Sequence, residues 1–124
     1  MVALDASALI AEMAEEPGHE KVWTDSQMAC ISAVNLCEVF GKIRQLRLKE
    51  SSLMELIRRG NLEVVPFDME DAQAAARLIT MTRPLGLSLG DRACLVLGLS
   101  RRIPVLTADR EWGKLKLGLE IRLI

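Results

Sequence analysis

Short apolar runs alternate with longer stretches of helical period from one end of the chain to the other. Residues 1–4 are apolar and end at Asp5. Residues 6–15 read as a helix, stopped by Pro17-Gly18. A second apolar run, 28–31, predicts a strand. Ser32 then opens a helix whose apolar stripe is Leu36, Val39, Phe40 and Ile43, spaced i, i+3, i+4, i+7. A further helix over 51–59 meets its stop at Gly60-Asn61. The β-branched pair Val64-Val65 marks a third strand over 62–67. Asp68 can cap an Ala-rich helix that runs to about Met81, before Pro84 and Gly86. Ser88 opens a nearly all-apolar helix reaching about Arg101, which predicts burial. Residues 103–107 predict a fourth strand, 109–115 a short helix, and the alternation over 119–123 a fifth strand.

Strands separated by helices imply parallel crossovers. The expected fold is a three-layer α/β/α sandwich around a parallel sheet of about five strands. With 124 residues, the whole chain, 1–124, is expected to form one domain. No repeat or linker interrupts it.

Composition removes several functions. Two Trp, two Phe and no Tyr leave no aromatic platform for stacking unpaired bases. A formal charge of −1 excludes a nucleic-acid binder held by its overall field. Any nucleic acid must be gripped by local basic groups and a metal. Cys30, Cys37 and Cys94 are odd in number and form no CxxC pair, so they read as reduced core residues of a cytoplasmic protein. A single histidine, His19, argues against zinc. The apolar runs are too short for a bilayer, and the amino terminus lacks the pattern of a signal peptide.

Four acids stand where this strand–helix alternation aims them at one rim of the sheet: Asp5, Glu38, Asp91 and Asp109. In open α/β sheets, ligands bind beyond the carboxyl ends of the strands, where strand order reverses. Each acid also has a plainer role open to it. Asp5 and Asp109 can cap helices, although Ser7 and Thr107 can do so equally well. Glu38 can form an i,i+4 pair with Lys42. Asp91 completes a Ser88-x-x-Asp91 capping box, yet shares a face with Cys94, Leu95 and Gly98 that should point inward. A carboxylate at the head of a buried column needs a partner. Four converging carboxylates call for a hard cation, Mg²⁺ or Mn²⁺, and such a site suits phosphodiester hydrolysis.

Four segments then carry a resemblance. They are Leu4-Asp5-Ala6-Ser7-Ala8-Leu9, residues 32–39 (SAVNLCEV), residues 86–94 (GLSLGDRAC) and residues 106–112 (LTADREW). In this order they resemble the four motifs of PIN-domain ribonucleases, and the chain is most similar to VapC toxins of type II toxin–antitoxin pairs. The resemblance implies a metal-dependent endoribonuclease acting on structured RNA such as transfer or ribosomal RNA. It implies Asp5, Glu38, Asp91 and Asp109 as the metal and catalytic site, with Ser7 and Thr107 as nearby hydroxyls and Asn35 supporting Glu38. It also implies a homodimer and a cognate antitoxin that covers the acidic groove. Ala6 departs from the Thr or Ser of many members, which removes a hydroxyl but no ligand.

The basic clusters Arg44, Arg47, Lys49 and Arg110, Lys114, Lys116 read as ordinary surface or as RNA contacts. Arg92 and Arg110 are the expected RNA contacts, with Arg92, beside Asp91, the one expected nearest the site, and Trp112 is expected in the core. Two other functions remain open. One is a PIN-like fold without catalysis, acting as a binding module. The other is a receiver-like Mg²⁺-binding signalling domain using Asp68 as phospho-acceptor, though no Lys follows the fifth strand.

Overall fold

A computed structural model describes residues 1–23 and 28–124. Five parallel strands form one sheet: β1 (Val2–Leu4), β2 (Ala29–Ser32), β3 (Leu62–Val65), β4 (Val105–Thr107) and β5 (Ile121–Leu123). Their order is β3-β2-β1-β4-β5. The chain winds outward from β1 through β2 to β3, then crosses back to the other side of β1 for β4 and β5. Strand order therefore reverses between β1 and β4, which makes the crevice above their carboxyl ends the expected ligand site.

Five α-helices cover the two faces: α1 (Ala6–Met13), α2 (Ala33–Leu46), α3 (Glu50–Arg58), α4 (Met69–Thr82) and α5 (Leu89–Arg101). Alternate strand residues divide the core in two. Val2, Leu4, Ala29, Ile31, Leu62 and Leu106 pack with Leu9, Leu36, Val39, Ile43 and Leu53 of α1–α3. Ala3, Cys30 and Val105 face Ala75, Leu78, Cys94 and Leu95 of α4 and α5, with Trp112 sealing that side. Strands buried on both faces need apolar residues at every position, so β1 and β4 show no alternation.

The expected elements are all present, with shifted ends. β3 stops at Val65 rather than at Phe67, because Pro66 offers no N–H to the ladder. β4 starts at Val105, since Pro104 precedes it and the Ile103 N–H turns back to the Gly98 carbonyl, 3.1 Å away. The segment after Asp109 is a 3₁₀ helix, Arg110–Lys114. Helix α5 is buried over residues 93–98 as its composition predicted, and it approaches the sheet closely at Gly98. A Cβ there would lie 2.4 Å from Val105 Cγ2.

Two of the three cysteines, Cys30 and Cys94, are buried core residues. Cys37 is exposed, which corrects the expectation for that residue. It lies one residue before Glu38, on the solvent side of α2, off the stripe that faces the core. Among the described residues, no helix is long and apolar enough to cross a membrane.

Candidate functional site

The register of β1 against β4 builds the site's floor. Leu4 pairs with Leu106, so Asp5 and Thr107 emerge side by side at the carboxyl ends of adjacent strands. Asp5 is 4 % exposed. It occupies the N-cap position of α1, but its side chain caps nothing. Instead its Oδ2 accepts hydrogen bonds from Ser7 Oγ at 2.6 Å and Thr107 Oγ1 at 2.9 Å. The same hydroxyls accept from the Ala108 and Asp109 amides, at 3.0 and 3.1 Å. This network joins β1, α1 and the turn after β4, and it fixes the Asp5 carboxylate. Ser7 and Thr107 are thus both hydrogen-bonded to Asp5.

Asp91 closes the predicted capping box. Its Oδ2 accepts from the Ser88 amide at 2.9 Å, and the Asp91 amide donates to Ser88 Oγ at 3.1 Å. Asp109 caps the 3₁₀ helix through Oδ1, which accepts from the Glu111 amide at 3.0 Å. Each cap uses one carboxylate oxygen and leaves a second. Capping and ligation are thus compatible in both residues.

Glu38 comes from α2 and meets the start of α5. Asn35, fully buried one turn before it, donates from Nδ2 to the Gly90 carbonyl at 2.8 Å. That bond ties α2 to α5 and brings Glu38 beside Asp91. Asn35 thus bonds the backbone of Gly90, the residue against which the Glu38 carboxylate lies. Asn35 Oδ1 is buried with no partner. An unmatched buried acceptor costs roughly 1–3 kcal/mol, so packing alone does not account for this asparagine.

The electrostatics agree with convergence. Burial pushes the Asp5 carboxyl above the ordinary carboxylate range, the two hydroxyls pull it back, and the charge of Asp91 raises it further. Glu38 is raised by burial and then by Asp5 and Asp91. The Cys94 thiol beneath the site is held well above its usual range, first by burial and then partly by Asp5, Asp91 and Glu38. Asp109 is exposed after β4, at the edge of the same crevice. Three acids share one field, and Asp109 stands at the rim.

All four acids line a single crevice of ≈ 700 Å³. Glu16, Lys42 and Gln45 line it too. The Glu38–Lys42 pair that the spacing allows is absent among the described residues, as is any ion pair to the four acids. No three described Asp, Glu, His or Cys groups are close enough to form a ready-made metal cage. The acids instead make an open acidic wall. A buried, fixed carboxylate without a cationic partner, beside two more carboxylates, still fits a hard divalent ion that keeps several waters. Asp5, Glu38, Asp91 and Asp109 are the residues that would hold it.

Some expectations need correcting. Arg92 does not line the crevice: its guanidinium donates to the Ala75 carbonyl at 2.8 Å and lies half-buried between α4 and α5. Arg110 is exposed beside Asp109, outside the crevice lining, a position open to an RNA contact. Asp68 is occupied in a reciprocal capping box with Asp71, away from the crevice, which removes the support for a receiver-like phospho-acceptor. Trp112 is fully buried, as expected of a core anchor. The sequence reading passed over Glu16 and Gln45. Gln45 lies seven residues after Glu38, on the same helical face, so periodicity from Glu38 points to it.

A family model described as PIN domain matches residues 2–117. Among solved structures, the chain is similar to VapBC2 from Rickettsia felis bound to a promoter DNA fragment. The TM-score is 0.74 at 16 % identity, covering 100 % of this chain and 99 % of that one. It is similar to DNA-bound VapBC from Salmonella typhimurium, with TM-score 0.70, 24 % identity, and coverage of 98 % and 97 %. It is also similar to Mycobacterium tuberculosis VapC20, described as a sarcin-ricin loop cleaving toxin. There the TM-score is 0.74 at 13 % identity, over 91 % and 93 % of the two chains. At these identities the likeness speaks for the fold. No curated protein sequence matches the chain.

Proposed function

The chain belongs to the PIN-domain family, and on that premise we propose that it is a metal-dependent endoribonuclease toxin. Its substrate would be a structured RNA, transfer or ribosomal, and its reaction hydrolysis of a phosphodiester bond. The observation that carries this reading is the placement of Asp5. It is 4 % exposed, fixed by Ser7 and Thr107, and its carboxyl is raised by burial and further by the charge of Asp91, at the strand-order reversal. A carboxylate so placed is costly unless a cation offsets its charge.

Mg²⁺ or Mn²⁺ bound there would lower the pKa of a water and offset charge on the phosphate. The chain's own part is positioning. The two hydroxyls hold Asp5 in one rotamer. The capping bonds aim Asp91 and Asp109, and the Asn35–Gly90 bond keeps Glu38 beside Asp91. No side chain needs to form a covalent intermediate with the RNA.

The similar VapBC structures support a cognate antitoxin as partner for this chain as well. A homodimer and action in the cytoplasm belong to the same proposal and rest on the resemblance of the four motifs alone. The direct test is cleavage of total transfer RNA and ribosomal RNA in Mg²⁺ or Mn²⁺, against chelator and against Asp5→Asn. Equal behaviour of wild type and Asp5→Asn on both RNA pools sinks the four-acid mechanism. The second reading is a binding module without catalysis. It is favoured by the open spacing of the acids, which form no closed cage among the described residues. RNA retention without cleavage in either metal would establish it.

A further inference from the structure

We infer that Lys42 is a positioning residue whose ammonium receives an RNA phosphate adjacent to the bond that is cut. This rests on the endoribonuclease reading above and adds the contact that sets the substrate's register.

The crevice is hostile to a polyanion. Asp5, Glu16, Glu38, Asp91 and Asp109 all line it, and Lys42 is the one cationic side chain among the described lining residues. A metal can offset charge only where it sits. Phosphates on either side of it still face the acidic wall, and at short range each such pair repels by about 4 kcal/mol near a protein surface.

Lys42 stands one helical turn beyond Glu38 on the same face of α2, roughly 6 Å along the axis. One oligonucleotide can reach both positions. The ammonium makes no ion pair among the described residues, with Glu38 or any other acid, so it need not break one to take a phosphate. Gly41 beside it also lines the crevice, and a Cβ placed there would meet nothing within 4 Å. Gln45, on the next turn, adds a neutral donor. The other basic residues of this region, Arg44, Arg47 and Lys49, lie outside the lining. They strengthen the general field without fixing a register.

The test compares wild type, Lys42→Ala and Lys42→Arg on the same RNA pools in Mg²⁺ or Mn²⁺. Lys42→Ala is expected to raise KM about tenfold with kcat within about twofold, and Lys42→Arg to restore most of the loss. A second arm measures binding of transfer RNA to the Asp5→Asn protein, with and without Lys42→Ala, across a salt series. Lys42→Ala should weaken binding and reduce the salt slope by about one. Unchanged KM, affinity and slope overturn the inference while leaving the nuclease reading intact if wild type still cuts. If wild type cuts nothing, the nuclease reading falls, and the binding arm alone decides: unchanged affinity or slope in that arm overturns the role of Lys42.

Discussion

The carboxylate of Glu38 lies against the bare Cα of Gly90, so close that a Cβ built on that glycine would sit 1.7 Å from Glu38 Oε1. The neighbour is the far end of a flexible side chain, so Gly90→Ala should fold. Alanine even gains helix propensity, by up to about 1 kcal/mol. The displaced atoms, however, are the carboxylate itself. Gly90→Ala is therefore expected to lower RNA cleavage about 10- to 100-fold with an unchanged or slightly higher Tm. Wild-type cleavage by this variant would show that the position of Glu38 is unimportant.

Asp5 gives a pH dependence with a definite sign. Burial raises its folded pKa above the ordinary value of 3.8, despite the two hydroxyl bonds. The native state then binds this proton more tightly than the unfolded chain does. Its contribution to stability is complete below about 3.8 and is lost as pH rises through the folded value. In chelator, Asp5→Asn should melt above wild type at pH 7, and the gap should close toward pH 3.5. Adding Mg²⁺ at ten times its Kd should stabilise wild type by about 1.4 kcal/mol, or about 5 °C, and leave Asp5→Asn unmoved. Thermal melts from pH 3.5 to 7.5, with and without metal, decide it. A variant that melts below wild type at pH 7 in chelator contradicts the burial argument.

Thr107 has two tasks in one hydroxyl, donating to Asp5 Oδ2 and accepting from the Asp109 amide. Thr107→Val keeps the shape and removes both. The expected cost is about 1–3 kcal/mol at pH 7, read as a lower midpoint in urea. At pH 3.5, where Asp5 is more protonated, the cost should shrink. An equal loss at both pH values would assign it to the Asp109 amide bond and packing, and leave the bond to Asp5 without measurable weight.

Residue type and spacing made much of the frame legible. The stripe from Leu36 to Ile43 and the Ser88–Asp91 box mark α2 and α5 because local propensity and tertiary packing agree there. Strand ends were less legible at Pro66 and Pro104, where a missing amide trims a ladder whose partner strand is distant in sequence. The acids could be picked out by position, but not their inequality. Whether Asp5 caps α1 or binds two hydroxyls depends on which strand lies beside β1, a long-range pairing. The misplacement of Arg92 has the same origin. Adjacency to Asp91 in sequence suggested the crevice, but successive residues on a helix diverge by about 100°. That angle turned the guanidinium onto the Ala75 carbonyl of α4.

The inequality of the acids yields the last prediction. Asp91 acts on Asp5 and on Glu38 from the head of α5, whereas Asp109 stands exposed after β4, at the rim. An amide at either position can still accept the capping bond through its oxygen, so Asp91→Asn and Asp109→Asn should both fold. Their response to metal should differ. Asp91→Asn removes a charge from the shared field and should abolish most of the Mg²⁺-induced rise in Tm. Asp109→Asn should keep more than about half of it, because a rim carboxylate contributes to affinity through a more screened interaction. Melting curves of the two variants over a Mg²⁺ titration test this ordering. Equal losses would place Asp109 in the same field as the other three, and a larger loss in Asp109→Asn would reverse the assignment of centre and rim.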